Sequence, residues 1–171
     1  MQQLWQRLET QLKDTHPLIL EDLAQPATDS EILDLESKLG VKLPDDFIAC
    51  LKIHNWQRGK TDGLFDGSDF LSTSRILQEW TSLKSVLDSG IFDDLGIDEN
   101  ASNNGVKSSM WNLKWIPMIS FGNGDMWCLD LDPAEDGHFS QIIQYWHEDC
   151  ETTKEANNFT AWFTHFIDQL S

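Results

Sequence analysis

Apolar residues recur at helical spacing in five stretches of the chain, and one long stretch between them alternates. Leu4, Trp5, Leu8 and Leu12 repeat every three or four residues, which predicts an amphipathic helix ending before His16-Pro17. Leu18 to Leu23 is a short apolar connector, either one turn or a brief strand. Thr28 to Glu31 reads as a capping box, in which each residue's side chain meets the other's backbone N–H. Ile32, Leu35 and Leu39 follow on one face, and Gly40 suits the left-handed residue that ends such a helix. Leu43-Pro44-Asp45-Asp46 opens a third helix, with Pro44 at its first position and two carboxylates at the positive end of its dipole. Phe47, Cys50, Leu51 and His54 form its inner face, and it ends near Asn55. Ser72 or Thr73 starts a fourth helix, with Ile76, Leu77, Trp80, Leu83 and Leu87 as its stripe and Gly90 as its stop.

The alternating stretch is Trp111 to His147, where two turns separate three apolar runs and predict three consecutive strands. Gly122-Asn123-Gly124-Asp125 makes the first turn, and Asp132-Pro133 to Gly137-His138 the second. By parity Trp127, Leu129 and Leu131 share one face, and Met126, Cys128 and Asp130 the other. Pro117 places the end of the first of these strands at a sheet edge. Residues 91–109, acidic and then rich in Asn, Ser and Gly, read as a mobile insertion loop. Glu148 to Asn158 reads as a polar connector. Asn157 or Asn158 then caps a last helix with Phe159, Trp162, Phe163, Phe166, Ile167 and Leu170 on its apolar face. The fold class is α+β, with a central, mostly antiparallel sheet flanked by N-terminal and C-terminal helices. Its 171 residues are read as one domain with room for a real core.

Composition sharpens this picture mainly through charge. Twelve basic against 29 acidic residues leave a net charge of −17. Such a surface repels nucleic acid and anionic membranes and attracts basic partners. Eight tryptophans and nine phenylalanines against one tyrosine supply large core side chains and candidate interface anchors. Cys50, Cys128 and Cys150 are odd in number and form no Cys-x-x-Cys pair, so neither a disulfide framework nor a zinc ribbon is indicated. No apolar run reaches membrane-spanning length and the first ten residues do not resemble a signal peptide, so a cytoplasmic location is the default.

Candidate chemistry is sparse. The Gly122-Asn123-Gly124 turn leads into Asp125 and a strand rather than a helix, so it is no phosphate cradle. Asp66 to Asp69 has the acidic start of a calcium loop without its later ligands, and reads first as a turn. Asp125, Asp130 and Asp132 are candidate magnesium ligands, yet Asp132-Pro133 is also a turn entry. His54 stands without a partner at ligand spacing, and reads as a packing residue. His147 and Cys150 have opposite strand parity, which argues against a Cys–His site.

These features resemble one family in their order. The first block is Ala27-Thr28, Glu31-Ile32, Leu35-Glu36, Gly40, Leu43-Pro44 and His54-Asn55. The second is Trp115-Ile116-Pro117, Gly124-Asp125, Cys128-Leu129-Asp130, Asp132-Pro133, Gly137 and Gln141-Ile142-Ile143, closed by Phe159 and Trp162. Over residues 27–170 this is similar to the SUKH superfamily, which includes yeast cell-wall assembly regulators of the Smi/Knr type and many bacterial proteins. Trp56 and Ser140 stand where the family usually has glycine.

The resemblance implies a binding protein without cofactor. Many bacterial members are immunity proteins, so the first reading is neutralisation of a basic toxin, often a nuclease, by direct contact. The alternative is a general interaction module of the cell-wall regulator type, and a metal-dependent enzyme ranks third. The candidate partner contacts are Trp56, Asp62, Asp66, Asp69, Asp93, Asp94, Asp98, Glu99 and Asp125.

Overall fold

The computed structural model describes residues 1–55, 57–61, 63–65, 67–91, 101–148 and 151–170. Its helices are α1 (Gln2–Thr15), α2 (Pro17–Asp22), α3 (Asp29–Leu39), α4 (Asp45–Leu51), α5 (Thr73–Asp88) and α6 (Phe159–Gln169). Its strands are β1 (Asp69–Phe70), β2 (Ser102–Asn103), β3 (Val106–Lys107), β4 (Trp115–Ser120), β5 (Met126–Asp130), β6 (Gln141–Trp146) and β7 (Glu151–Ala156).

Local capping chemistry sets the helices. α1 buries Trp5, Leu8 and Leu12 and stops ahead of Pro17. Pro17 then starts α2, so the connector is a short helix, followed by a single bridge from Leu23 to Gln57. At α3 the Glu31 N–H donates to Thr28 Oγ1 at 3.2 Å, and the Thr28 N–H donates to Glu31 Oε2 at 2.7 Å. Gly40 ends α3 at φ 66°. Glu36 is buried, but its carboxylate accepts the Leu43 N–H at 2.9 Å and Lys42 Nζ at 2.7 Å. Burial opposes its ionisation, and these two donors outweigh burial and hold it below its ordinary range. α4 begins one residue later than expected: Pro44 is extended at ψ 142° and occupies the cap itself. His54 lies beyond α4, edge-on to Trp5, with Nε2 2.9 Å from Glu9 and Nδ1 2.9 Å from the Ala24 carbonyl. It is a packing residue with a partner 45 positions away, beyond any local spacing rule. Ser72 caps α5 by accepting the Arg75 N–H, and Asn158 caps α6 by accepting that of Ala161.

The main sheet has strand order β1-β4-β5-β6-β7, with every neighbouring pair antiparallel. The three expected strands form its middle. Two expectations need correction. The polar connector contains β7, whose residues alternate between exposed and half-buried. As an edge strand it needs no apolar face, and Thr152, Thr153 and Lys154 suit it. Pro117 is not on an edge strand, since β1 lies on the far side of β4. β1 reaches only Ile119 and Ser120, however, and the β4–β5 register shifts between Pro117 and Ile119, so the proline sits at an irregularity.

The third correction concerns the insertion loop. Residues 92–100 lie outside the described residues, but 102–107 form the β2–β3 hairpin. Asn104 and Gly105 turn it at φ 52° and 81°, the pair of positive angles that suits a two-residue hairpin. Val106 is buried, and the Gly105 carbonyl accepts the Ala134 N–H at 3.0 Å and Gln141 Nε2 at 2.8 Å. The hairpin is therefore docked on the β5–β6 turn.

Both faces of the sheet are covered. On one, Trp127 meets Trp162 of α6 edge-on at 5.3 Å. Elsewhere in the core Trp111 stands edge-on to Trp115 and to Tyr145. Cys50 and Cys128 are buried free thiols, as expected of small core residues. Burial pushes Cys50 up to about 12 and Cys128 upward too, so neither presents a thiolate.

Ser140 keeps the left-handed backbone that its family position favours, at φ 63°, while its N–H donates to the Asp130 carbonyl at 2.9 Å. An L-residue there costs roughly 1–2 kcal/mol, and glycine's extra chain entropy returns part of that. Ser140→Gly is expected to raise stability by about 1 kcal/mol in urea unfolding, with the slope unchanged.

Candidate partner-binding site

The register brings two of the acidic candidates, Asp69 and Asp125, to one end of the sheet. Asp69 pairs with Ser120, Ser120 with Met126, Met126 with Tyr145 and Tyr145 with Thr152. Beyond this line lie the β4–β5 turn, Trp146 to Glu148, and Glu151. Asp69 is exposed. Asp125 is half-buried and ties two turns together: Oδ1 accepts the His147 N–H at 2.8 Å, and Oδ2 accepts Asn123 Nδ2 at 2.8 Å. Gly124 has φ 101°, and a Cβ there would stand 2.7 Å from the His147 ring, so the ring lies on the turn.

Trp146 is 40% exposed at the same end, with its Nε1 donating to Thr153 Oγ1 at 3.4 Å. It was not among the sequence candidates. It shares a strand face by parity with the buried Ile142 and Gln144, and its place as the last residue of β6 leaves it exposed. Among the candidates, Asp69 and Asp125 thus share one end of the sheet. Trp56, Asp62, Asp66, Asp93, Asp94, Asp98 and Glu99 lie outside the described residues, as does Cys150. Ahead of Asp69, Gly67 has φ 81° and the Ser68 N–H donates to the Phe65 carbonyl.

Asp130 and Asp132 lie at and just past the opposite end of β5, roughly 16 Å and 23 Å of extended chain from Asp125. Asp130 is fully buried, accepting the Asp132 N–H at 3.0 Å and Gln141 Nε2 at 2.8 Å. Burial pushes its carboxyl above the ordinary range, against the pull of these two donors. Asp132 accepts Lys107 Nζ at 2.6 Å and Asn112 Nδ2 at 3.1 Å. Burial opposes its ionisation, but Lys107 and Asn112 prevail and hold it low.

The hub of this cluster is Gln141, which sequence reasoning treated only as a motif letter. Its Nε2 donates to both Asp130 and Gly105, and its Oε1 accepts the His138 N–H at 3.1 Å. The three aspartates are therefore not one constellation, and each fixes a turn. Among the described residues no group of three or more His, Cys, Asp or Glu side chains is arranged to hold a metal ion. None of the helices so described is long and apolar enough to cross a membrane.

A family model described as SMI1 / KNR4 family (SUKH-1) matches residues 26–165. The chain belongs to the SMI1 / KNR4 family. The matched region runs from Pro26, ahead of the α3 capping box, into α6. The chain is 22% identical over 202 residues to the cell wall assembly regulator SMI1 of Saccharomyces cerevisiae, covering 97% of this chain and 39% of that protein. It is 22% identical over 174 residues to a glucan synthesis regulatory protein of Neurospora crassa, covering 82% and 33%. A KNR4/SMI1 homolog 2 of Debaryomyces hansenii is 23% identical over 98% of this chain and 35% of its own. This SMI1/KNR4-family chain thus spans about a third to two-fifths of the length of these relatives.

Proposed function

We propose that this SMI1/KNR4-family chain is a non-enzymatic regulatory module that acts in the cytoplasm by binding another protein. The observation that carries the reading is family membership over residues 26–165 together with relatives named as cell wall assembly and glucan synthesis regulators. The polar chemistry supports it. Asp130, whose carboxyl burial pushes upward, is spent on internal hydrogen bonds, whereas Asp69 and Trp146 face solvent at one sheet end. An exposed tryptophan beside carboxylates has the composition of an interface anchor with a steering rim. The partner contacts in this reading are Asp69, Asp125 and Trp146, with Trp56, Asp62, Asp66, Asp93, Asp94, Asp98 and Glu99 in the same role.

The net charge of −17 favours a second reading, an immunity protein that blocks a basic toxin. Salt separates the two. The tagged chain is to be isolated from its source cells with its partner, and the affinity of that pair measured between about 50 and 500 mM salt. A regulatory contact anchored by Trp146 and only rimmed by carboxylates is expected to weaken modestly over that range. A steep loss of affinity, together with a basic partner that is toxic when expressed alone, would replace the first reading with the second.

A further inference from the structure

A pocket of about 300 Å³ opens between β5, β7 and α6. Its walls are Trp127, Trp162 and Phe166, and Glu155, His165 and Gln169 stand at its rim. The walls are fixed in place. Trp127 Nε1 donates to Gln144 Oε1 at 3.3 Å, and the Trp127 and Trp162 rings meet at 67° with centroids 5.3 Å apart. Trp162 and Phe166, one helical turn apart on α6, stack at 11° with centroids 6.1 Å apart. Phe65 backs Phe166 at 4.5 Å from behind. The corner is thus preorganised, and a ligand entering it orders little that is not already ordered.

Glu155 decides what the corner can hold. It is exposed on the edge strand and accepts the Thr153 hydroxyl at 3.1 Å, and among the described residues no cation pairs with it. An anion would meet this carboxylate and a chain of net charge −17. A purely apolar group would strip water from the carboxylate and return nothing. A flat, weakly hydrated cation satisfies both halves of the site, since its face lies on the aromatic rings and its N–H groups reach the carboxylate. A guanidinium has that shape and an ammonium does not, because the ammonium is compact and strongly hydrated.

We propose that this pocket takes an arginine side chain of the protein partner, with its guanidinium against Trp127 and Trp162 and paired to Glu155. The origin of the arginine in a partner rests on the binding function proposed above; the pocket's preference for a guanidinium does not.

The test uses the full chain and a blocked Gly-Arg-Gly tripeptide, with matched peptides carrying citrulline or norleucine in place of arginine. The readout is the Trp127 indole N–H resonance, assigned by its loss in Trp127→Phe. The arginine peptide is expected to shift it saturably, with citrulline and norleucine at least about tenfold weaker. Glu155→Gln, at an exposed position that leaves the fold intact, is expected to weaken the arginine peptide about tenfold. Equal binding of citrulline or norleucine, an unchanged affinity in Glu155→Gln, or no saturable shift at millimolar peptide would each overturn the assignment. Because no partner is used, failure here leaves the regulatory reading standing, and failure to find a partner leaves the pocket's chemistry standing.

Discussion

Gly105→Ala is expected to lower the stability of the chain by roughly 3 kcal/mol, a fall of about 6–12 °C in Tm for a chain of this size. Two costs add. The left-handed φ of 81° charges any L-residue roughly 1–2 kcal/mol. The new Cβ would also stand 2.6 Å from Gly137 Cα and 3.0 Å from Gly137 N, both backbone atoms that cannot rotate away. Relieving that clash separates the hairpin from the β5–β6 turn and strains the bonds from Ala134 and Gln141 to the Gly105 carbonyl, at about 1 kcal/mol each. Gly137→Ala isolates the second cost. Gly137 carries no left-handed penalty, yet its Cβ would meet the Gly105 oxygen at 2.2 Å. Urea unfolding of both variants is the check. A loss below about 1 kcal/mol in both would mean that the hairpin is not docked as described.

Gln141→Leu is expected to cost more, roughly 3–5 kcal/mol near neutral pH. The leucine fills the space but removes both donors, leaving Asp130 and the Gly105 carbonyl buried without them, and the His138 N–H without its acceptor. The loss should depend on pH in a defined direction. Asp130 already has its carboxyl raised above the ordinary 3.8, chiefly by burial, so the folded state holds the proton more tightly than the unfolded state. Its ionisation therefore costs stability above the folded value, and that cost vanishes as pH falls to the unfolded value. Without Gln141, one of the groups that favour the carboxylate is gone, and the folded value rises further. The deficit of Gln141→Leu against the unsubstituted chain is expected to shrink between pH 7 and about pH 5. Parallel urea titrations at the two pH values measure it, and a deficit that grows on acidification would contradict the Asp130–Gln141 pairing.

What could be read from the sequence was what is decided locally. Thr28 with Glu31, Gly40 after Leu39, and the caps Ser72 and Asn158 each act within four residues, so the long helices and their ends were legible. So were β4 to β6, because their apolar runs are bounded by turns that need glycine or proline. β7 was not legible: an edge strand of Glu, Thr, Lys and Ala carries no apolar alternation to reveal it. The β2–β3 hairpin did have a signal, Asn104-Gly105, but Ser102 and Lys107 flank it where apolar residues would have made it plain. In the candidate site, the sequence put Asp125 in the first turn and Asp132 in the second, at opposite ends of one strand, but it could not show which backbone and side-chain groups each carboxylate holds. The Gln141 hub joins residues 3, 11 and 36 positions away, and no spacing rule reaches across such a set. Ser140 was visible as a departure from the family pattern; its cost became visible only with its backbone angle.

The most direct test of the proposed function is to isolate the tagged chain from its source cells beside the double variant Asp69→Lys, Trp146→Ser. Asp69 is exposed and Trp146 lies outside the buried core, so circular dichroism of the variant should match that of the parent, with at most a modest loss of stability in urea. The account predicts one protein retained in stoichiometric amount by the parent chain and reduced at least about tenfold by the variant. Retention of the same partner at an undiminished level by the folded variant, or recovery of no stoichiometric partner by the parent, would contradict it.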